Sequence, residues 1–419
     1  MLSSLIIHII LLPLHPQKYG ALAQLVEHRT ENPCVPGSIP GGTTTKSTDR
    51  KTIGAFFRQT NNLKKMKRIT FLLIYLMMVV AVRLHAADNT IVVKAGDAES
   101  LLQAIEQANR QNADSTAERL FILLPDGLYD LGERVLTTIT GHNVSLIGQS
   151  MNGTIIRNAP DAANEGISKT ATIRVMATGT YLQDLTLQNA LKYYECGSAG
   201  RAVTLHEKQS TRTICNRVRL LSYQDTYYSD SEEGQFYFED SEIHGTIDFI
   251  CGAGDVFFSR CTIVTERRAI EDKGRCVIAA PRTSKTQFGY VFDGCTIKNL
   301  GSAFHYARGW HTSPRCAFLN TTLEHPELLL DTRFDYRGMR TVNSQFYEYH
   351  TMDASGKDIT PKSNVVTFTL KEEKNTVETI MAKEKARDFR LKNVFPDWRP
   401  DKQLKNLQRQ AERLKKTYL

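Results

Sequence analysis

The chain has 419 residues and a formal net charge of +8, and its 41% hydrophobic and 23% charged residues are typical of a globular rather than a disordered protein. The excess positive charge lies in residues 1–86, which contain 11 Lys and Arg residues but only 3 Asp and Glu residues. Residues 87–419 contain 42 of each sign. The composition therefore gives no ground for a general attraction to nucleic acid or anionic membranes, so particular residues must hold any anionic ligand.

Residues 1–65 lack the pattern of a folded domain. The stretch 22–42 has no apolar periodicity, and it can be back-translated into the D-arm, anticodon loop and T-arm of a transfer-RNA gene. We interpret residues 1–65 as an upstream transfer-RNA gene translated from a misplaced start codon. An ordinary coding region at this place in the genomic DNA would contradict that interpretation.

Residues 66–86 have the layout of a secretion signal. A basic start at 66–68 precedes the apolar run 69–82, and Leu-His-Ala at 84–86 closes the segment. The apolar run has 14 residues, which is short for a membrane span of about 20 residues. We predict cleavage after residue 86, export to the periplasm or the medium, and no stable membrane insertion. A single membrane anchor behind a basic tail is the alternative.

From Thr90 onward the sequence repeats one formula of an aromatic or aliphatic strand, a polar bend and a second short strand. Examples are 180–189, 235–243, 255–263 and 290–297. The units recur every roughly 20 to 34 residues, and a unit of this size must stack on its neighbours to bury its apolar side. Because hairpin turns of the Asn-Gly type are scarce, we predict an all-β solenoid, a parallel β-helix, rather than a sandwich or a barrel.

Helices are predicted only near the ends of this solenoid. Residues 99–111 carry apolar side chains at helical spacing and suit a short helix that caps the first coil. Residues 402–419 are strongly polar with three spaced leucines, which suits a terminal helix at the surface. The polar and weakly patterned segment 353–375 is predicted to leave the solenoid.

The cysteines are predicted to be packing residues. Seven remain once Cys34 is set aside, and an odd number in an exported protein leaves at least one unpaired. Cys261, Cys295 and Cys316 stand in similar phrases, and Cys215 stands in a related one. This recurrence predicts buried thiols stacked in the interior. We predict no metal site, because neither a CxxC pair nor clustered histidines accompany them.

Two acidic segments stand 23 residues apart, with Asp225 in one and Asp248 in the other. This spacing is about one coil of a parallel β-helix, and coils about 4.8 Å apart would place both carboxylates on one face. Two carboxylates that close cannot both ionise freely, so one is pushed toward its protonated form and an acid can coexist with a nucleophile. Taken singly, each aspartate could equally be a bend residue that accepts backbone hydrogen bonds.

Several ordered motifs of the chain resemble those of the pectinesterases, or pectin methylesterases, over about residues 92–400. They are Gly-Leu-Tyr at 127–129, Val-Ser-Leu-Ile-Gly at 144–148, Gly-Arg-Ala-Val-Thr-Leu at 200–205, Gln-Asp-Thr-Tyr-Tyr at 224–228, Asp-Phe-Ile-Cys-Gly at 248–252, Arg-Gly-Trp at 308–310 and Phe-Tyr-Glu-Tyr at 346–349. The resemblance, to the exported bacterial type, implies a single-stranded right-handed parallel β-helix over 87–419. It also implies a monomer that acts on pectin (homogalacturonan) without a metal or cofactor.

The resemblance further implies roles for individual residues. Asp248 would attack the methyl-ester carbonyl of a galacturonate unit and form an acyl-enzyme. Asp225 would protonate the departing methanol and then activate water, and Gln224 would donate a hydrogen bond to the oxyanion. Arg308 would hold Asp248 ionised through charge-assisted hydrogen bonds, although it could instead be an ordinary surface ion-pair partner.

Four aromatic residues are candidates for the wall of a substrate groove. Trp310 would offer a flat face to a sugar ring, or it could merely pack over a loop. Tyr227, Tyr228 and Phe249 are secondary candidates. Because Tyr227 and Tyr228 alternate across a strand, at most one of them is expected to face the groove.

Two of the departures from the family pattern bear on the site. Arg201 stands where the family has glutamine, 23 residues before Gln224, so it is predicted to point at the same site. There it could stabilise an oxyanion, or it could pair with Asp225 and keep that carboxyl ionised, which would impair the acid. Gly309 replaces a proline and is expected to loosen the loop that presents Arg308.

The sequence therefore predicts hydrolysis of pectin methyl esters and leaves two alternatives open. A close carboxylate pair also suits a glycosidase, and a lyase could use the same solenoid. However, the chain lacks the clustered aspartates and histidine of a polygalacturonase and the acidic calcium cluster of a pectate lyase. The second alternative, raised by Arg201, is a non-catalytic carbohydrate-binding solenoid.

Overall fold

The computed structural model describes Thr70 and residues 89–161, 166–196, 200–268, 274–311, 313–336, 343–370 and 372–419. Apart from Thr70, the predicted leader (residues 1–86) lies outside the described residues. The interpretation of 1–65 and 66–86 therefore remains a prediction.

Most of the described chain forms short strands that wind into coils. They build a sheet of 17 strands (sheet A), a sheet of 8 strands (sheet B) and a separate pair. In chain order the strands are β1 (Thr90–Val92), β2 (Leu120–Leu124), β3 (Gly127–Asp130), β4 (Thr137–Ile139), β5 (Val144–Gly148), β6 (Thr154–Asn158), β7 (Ile173–Val175), β8 (Tyr181–Asn189), β9 (Leu205–Lys208), β10 (Thr213–Leu221), β11 (Tyr227–Asp230), β12 (Gln235–Glu239), β13 (Glu242–Gly245), β14 (Ile247–Gly252), β15 (Asp255–Ser259), β16 (Thr262–Thr265), β17 (Cys276–Pro281), β18 (Tyr290–Asp293), β19 (Thr296–Asn299), β20 (Phe304–Arg308), β21 (Arg315–Leu319), β22 (Thr322–Leu323), β23 (Phe334–Asp335), β24 (Gln345–Tyr349), β25 (Met352–Asp353), β26 (Val365–Leu370) and β27 (Glu373–Glu378).

The coils stack into a solenoid with three faces. Every strand pairing in sheets A and B is parallel and joins one coil to the next, as β9, β11 and β14 do in sheet B. The long strands β8 and β10 pass through a corner at Asp184 (φ 54°) and Arg217 (φ 50°), and they thereby join two faces into sheet A. Sheet B, which runs β4, β7, β9, β11, β14, β17, β20 and β23, forms the third face. The predicted right-handed parallel β-helix is confirmed.

An aromatic ladder inside the solenoid explains the repeated strand formula. Phe238, Phe258, Phe292 and Phe318 occupy the same register position on successive coils. Their ring centroids lie 5.0, 4.5 and 4.3 Å apart in turn. Each buried phenylalanine contributes about 1.5–3 kcal/mol from apolar burial, and each ring pair adds about 0.5–1.5 kcal/mol. Stacking like on like therefore fixes the register of the coils.

A helix closes the N-terminal end of the solenoid, as the sequence predicts. It spans Ala98–Gln111 and begins at Asp97, whose carboxylate accepts a hydrogen bond from the Ser100 amide at 3.1 Å. Its buried side includes Leu101 and Ile105, which join the core of the first coils.

The C-terminal helix, Pro400–Tyr418, is as predicted a helix, but it packs more closely than a loose surface helix. Leu404, Leu407 and Leu414 are buried in an apolar cluster against the outer side of sheet A. Shorter helical segments occur elsewhere, and two lie between strands, so helices are not confined to the ends. These segments are Tyr193–Cys196, Pro326–Leu328, Lys383–Ala386, Arg387–Phe389 and Leu391–Val394.

One buried aspartate ties the C-terminal helix to the solenoid. Asp184 accepts hydrogen bonds from Arg217, through Nε at 2.5 Å and Nη2 at 2.8 Å, and from the Lys415 ammonium at 2.8 Å. Asp184 is only 6% exposed. A buried charge whose partners all remain in place is stable, whereas removal of one partner leaves the others uncompensated.

We expect Asp184→Asn to lower the free energy of unfolding by about 2 kcal/mol, because Arg217 and Lys415 lose their buried counter-charge and keep only the more exposed Glu412 as an anionic partner. Asparagine tolerates the left-handed backbone at this position, so the loss reports the charge. Denaturant unfolding measures it. Asp130→Asn is the control, since it removes an exposed partner of Arg157 and should cost less than about 1 kcal/mol. Equal losses in both variants would contradict the anchoring role.

The excursion predicted at 353–375 is confirmed. After β25 the chain leaves the coils, and β26 and β27 form an antiparallel hairpin that is a sheet of its own.

The prediction of buried, unpaired cysteines is confirmed for the described chain. All seven described cysteines are free, and six of them are buried. Cys261 and Cys295 occupy equivalent positions just before the paired strands β16 and β19. Cys215 and Cys316 pair with Phe238 and Tyr290 instead, so the thiols do not form one continuous stack.

Within the part of the chain that the structure describes, no helix combines the length and the apolar character needed to cross a bilayer.

Candidate active site

Three successive coils meet at one point of sheet B. Arg201 is bridged to Gln224, and Gln224 is bridged to Ile247, each in parallel register. The steps of 23 residues therefore place Asp225 and Asp248, which follow Gln224 and Ile247, on neighbouring coils.

The backbone turns both aspartates out of the regular strand pattern. Asp225 has φ 58° and Asp248 has φ 50°, in the left-handed region that aspartate tolerates better than most residues. At Asp248 the pairing of β14 with β17 also shifts register between Ile247 and Ile250. A bulge of this kind re-aims a side chain and is common next to functional sites. Glycine is required at position 245, next to this bulge, because a Cβ atom there would lie 2.1 Å from the Phe249 Cβ.

Asp248 is held by a two-pronged ion pair. Arg308, at the end of β20, donates from Nε to Oδ1 at 2.7 Å and from Nη2 to Oδ2. The Asp248 side chain is 8% exposed and that of Arg308 is 27% exposed. Burial raises the pKa of Asp248, and the Arg308 guanidinium opposes that rise. The pair fixes the orientation of the carboxylate and favours its ionised form.

Asp225 lies in a different electrostatic setting. Burial and then the charge of Asp248 raise the pKa of Asp225 to about 8, although Arg201 acts in the opposite direction. The Arg201 Nε is 3.9 Å from Oδ2, and the Cys251 thiol lies 3.7 Å from Oδ1. Arg201 therefore does not keep Asp225 ionised at neutral pH, because burial outweighs its attraction.

The Gln224 side chain lies beside the two carboxyls and is only 8% exposed. Its Oε1 is buried and has no hydrogen-bond partner in the described chain. The Gln224 residue therefore contributes to the cavity lining beside both carboxyls.

These side chains surround a cavity of about 510 Å³. Six predicted residues line it: Arg201, Gln224, Asp225, Asp248, Arg308 and Trp310. The lining residues that sequence reasoning missed are Gly166, Ile167, Ser168, Cys251 and Ala280. One of these carried a usable signal, since Cys251 stands 23 residues after Tyr228. Ala280, which pairs with Cys251 on the next coil, has no such spacing. The loop at 166–168 carried none.

Trp310 forms one wall of the cavity. The Arg282 guanidinium lies over its ring, 5.4 Å from the centroid, and the Tyr228 ring is 6.1 Å away. The Trp310 amide donates to the Pro281 carbonyl at 3.0 Å, which ties the loop to β17. This hydrogen bond restrains the loop next to Gly309, the position at which the sequence predicted a more flexible loop.

The model of the pectinesterase family matches residues 89–384. The chain belongs to the pectinesterase family. It is 32% identical over 209 residues to pectinesterase 3 of Solanum lycopersicum, an alignment that covers 50% of this chain and 35% of the relative. It is 28% identical over 222 residues to probable pectinesterase 50 of Arabidopsis thaliana, with 53% and 59% covered. The chain thus spans only part of the length of these curated relatives.

Solved structures of pectin methylesterases share the fold. One from Erwinia chrysanthemi aligns with a TM-score of 0.56 and 24% identity, covering 71% of this chain and 93% of the other. One from carrot aligns with a TM-score of 0.58 and 20% identity, covering 73% and 92%. At this level of identity the likeness concerns the β-helix itself.

Not every predicted wall residue of this pectinesterase-family chain reaches the cavity. Tyr227 is fully buried in the core, with its ring 5.0 Å from that of Phe238. Phe249 is also fully buried there. Tyr228 points outward, where it supports Trp310 rather than lining the cavity. The structure thus corrects the placement of Tyr227 and Phe249. Strand alternation sends the Tyr227 side chain inward, and the register shift between Ile247 and Ile250 lets Phe249 point inward as well.

Proposed function

We propose that this member of the pectinesterase family hydrolyses methyl esters of galacturonate units in pectin, releasing methanol and leaving pectate. The observation that carries the proposal is the unequal pair of buried carboxyls in one cavity. Asp248 is ion-paired with Arg308, while the pKa of Asp225 is raised to about 8. One carboxylate and one carboxylic acid side by side are what a nucleophile and a general acid require.

In the first step, the Asp248 carboxylate attacks the ester carbonyl carbon. A bond forms between Oδ and that carbon, and the carbonyl electron pair moves to its oxygen, where the Gln224 amide stabilises the charge. When the tetrahedral intermediate collapses, the bond to methoxide breaks and Asp225 gives it a proton. Methanol leaves, and an acid anhydride joins Asp248 to the sugar.

In the second step, Asp225 is a carboxylate and accepts a proton from water. The resulting hydroxide attacks the acyl carbon, the anhydride opens, and Asp248 and Asp225 return to their starting forms. Arg308 holds Asp248 in place throughout. These steps use side chains and water, and they call for no metal ion or organic cofactor.

The Trp310 ring suits a sugar of the polysaccharide, because a flat aromatic face packs against the apolar side of a pyranose ring. Tyr228 supports that ring from behind. The neutral acid at Asp225 also favours an esterase over the non-catalytic solenoid, because Arg201 leaves the general acid protonated.

We propose that the enzyme acts outside the cytoplasm, in the periplasm or the medium, as a monomer that binds homogalacturonan. The support is the signal-like segment 66–86 and the polymeric nature of the substrate.

The identity of the products tests the proposed function. The purified full-length protein, incubated with highly methylated pectin, is expected to release methanol without new reducing ends or unsaturated ends. New chain ends without methanol would replace the esterase by a glycosidase or a lyase. Binding of pectin with neither product would point to a non-catalytic solenoid.

The pH dependence follows from Asp225. Because the acid must begin protonated, kcat/KM for methanol release is expected to fall as the pH rises through the Asp225 pKa of about 8. Below that pH the proton stays in place, and the rate persists until Asp248 becomes protonated. Initial rates between about pH 5 and 10 measure this profile. A descending limb below about pH 6 would contradict the assignment of Asp225 as the acid.

A further inference from the structure

The C-terminal segment concentrates positive charge that the overall composition hides. Residues 383–419 contain 12 Lys and Arg residues and 5 Asp and Glu residues. This leaves 30 basic and 37 acidic residues in 87–382. The body of the solenoid is therefore net negative, whereas the segment that packs on it is net positive. An anionic partner would be attracted to this segment and repelled by the rest of the protein.

The exposed cations of the C-terminal helix form a single ridge. They are Lys402, Lys405, Arg409, Arg413 and Lys416, and they follow one another at steps of three or four residues. The geometry of an α-helix places them within an arc of about 80° and along a length of about 21 Å. The buried leucines of the helix lie on the opposite side. We call these five cations the basic ridge.

The basic ridge forms no ion pair within the described part of the chain. The acidic residues of the helix are engaged elsewhere. Asp401 pairs with Arg399 at 2.8 Å, and Glu412 lies 3.4 Å from Arg217 and 4.0 Å from Lys415. The ridge therefore presents its charges to the solvent without a counter-charge from the protein.

At one end the ridge reaches a pocket between the helix and the first coils. The pocket has a volume of about 330 Å³, and its lining includes the cations Arg413 and Arg119 and the carboxylate of Glu118. The Arg119 guanidinium donates to two neutral groups, the Ser145 hydroxyl at 3.0 Å and the Gly179 carbonyl at 2.8 Å. Burial lowers the pKa of Arg119 to about 10, so the group stays charged at neutral pH. The pocket is thus net positive and has room for a phosphate group.

A second basic patch lies on the same side of the solenoid. Lys383, Arg387 and Arg390 are exposed, and they line a hollow of about 310 Å³ with Tyr349 and the carboxylate of Asp293, at the ends of β24 and β18. The apolar residues of the C-terminal segment pack against the outer side of sheet A in one cluster. The ridge lies near the earlier strands of that sheet, β2, β8 and β10. A flat partner can therefore touch the ridge and the patch at once.

We infer that the basic ridge, its pocket and the second patch dock the protein on the surface of a bilayer that carries the phosphate headgroups of anionic lipids. The apolar side of the helix is buried against the solenoid. The contact is therefore electrostatic and peripheral, and it involves no insertion of this helix.

The position of the active-site cavity favours a bilayer over a polysaccharide as the partner. The cavity is built on sheet B, whereas the ridge lies on sheet A. A docked protein therefore keeps its cavity open to the surroundings. A polysaccharide bound along the ridge would lie on a different face from the cavity. The inference uses the proposed export of the protein and is independent of its esterase chemistry.

Binding of the purified full-length protein to sedimented vesicles tests the inference. Vesicles in which a third of the lipid is phosphatidylglycerol are compared with vesicles of phosphatidylcholine alone. Binding through the apolar run 69–82 cancels in the ratio of the two partition coefficients. The triple variant Lys405→Gln/Arg409→Gln/Arg413→Gln is expected to lower this ratio by about 10²-fold, because each lost cation weakens the attraction about fivefold. At about 1 M salt, where the Debye length is about 3 Å, the parent should lose its preference for anionic vesicles.

The triple variant Lys192→Gln/Lys298→Gln/Lys357→Gln is the matched control. It removes the same charge from exposed positions outside the ridge and the second patch, and it should keep the ratio of the parent to within a few fold. Both variants should keep the unfolding transition of the parent, because the replaced side chains are exposed.

Three outcomes would overturn the inference. The first is a parent that binds both kinds of vesicle equally, and the second is an equal loss of preference in the ridge variant and the control. The third is a ridge variant that loses affinity for polygalacturonate but not for anionic vesicles, which would make the ridge a polysaccharide-binding surface. Methanol release is measured separately, so failure of the proposed function would not be mistaken for failure of docking.

Discussion

Asp248→Asn is expected to lower kcat for methanol release by about 10⁴-fold or more, because the amide cannot form the acyl intermediate. Asparagine matches aspartate in size and tolerates the left-handed backbone at this position. The Arg308 guanidinium could still donate a hydrogen bond to the amide oxygen of the asparagine, so the structure of the cavity should persist. Stopped assays of methanol, together with circular dichroism, separate loss of chemistry from loss of structure.

Asp255→Asn is the matched control for this substitution. Asp255 is also a buried carboxyl, but it accepts backbone hydrogen bonds from Phe288 and Gly289 and lies outside the cavity. Asparagine keeps an acceptor oxygen there, so the activity should stay within a few fold of the parent. If Asp248→Asn lost no more activity than Asp255→Asn, Asp248 would not be the nucleophile.

The register of the active site could be predicted because a β-helix has a fixed coil length at this point. Residues 201, 224 and 247 follow one another at steps of 23, and each step is realised as a backbone bridge. Spacing alone therefore brings Asp225 and Asp248 together, before any side chain is placed. The same rule would have found Cys251, which stands one step beyond Tyr228.

The direction of the aromatic side chains was harder to predict. Alternation along the strand showed that Tyr227 and Tyr228 face opposite ways but not which of them faces outward. That choice depends on the left-handed turn at Asp225, and the inward placement of Phe249 depends on the bulge after Ile247. Neither feature has a signal in hydrophobic periodicity, because each concerns a single backbone position.

Contacts between distant parts of the chain were also beyond the sequence. Lys415 contacts Asp184 although the two residues are 231 positions apart in the sequence. The residue pattern of neither segment predicts this contact. The leucines of the C-terminal helix showed which side would be buried but not which sheet would cover it. The loop at 166–168 reaches the cavity for the same reason, through tertiary packing alone.

In the proposed mechanism, the working pH range of the site depends on two carboxyls with opposite requirements. Asp248 must be ionised to attack, which sets the acidic limit of the range. Asp225 must be protonated to donate, which sets the alkaline limit at about pH 8. The interval between the limits exists because Arg308 opposes the effect of burial on Asp248. We therefore propose Arg308 as a positioning residue whose loss should appear in the pH profile.

We expect Arg308→Gln to lower kcat/KM at neutral pH by about 10²- to 10³-fold, because Asp248 is left buried without its counter-charge. Without Arg308 the pKa of Asp248 rises, so the fraction of ionised nucleophile grows only as the pH increases. The ascending limb of the plot of kcat/KM against pH therefore moves to higher pH. It approaches the descending limb, which the deprotonation of Asp225 sets. What remains is a narrow optimum at higher pH than in the parent enzyme, measured as methanol release across the pH range.

Two further variants separate this effect from general damage. Arg308→Lys keeps the charge but loses the two-pronged contact, so its ascending limb should move less while its rate still falls. Arg333→Gln breaks another ion pair, with buried Glu348, at 3.1 Å and outside the cavity. It should lower stability and leave the pH profile in place. A parent-like pH profile in Arg308→Gln would show that burial and the remaining neighbours, rather than this guanidinium, keep Asp248 ionised.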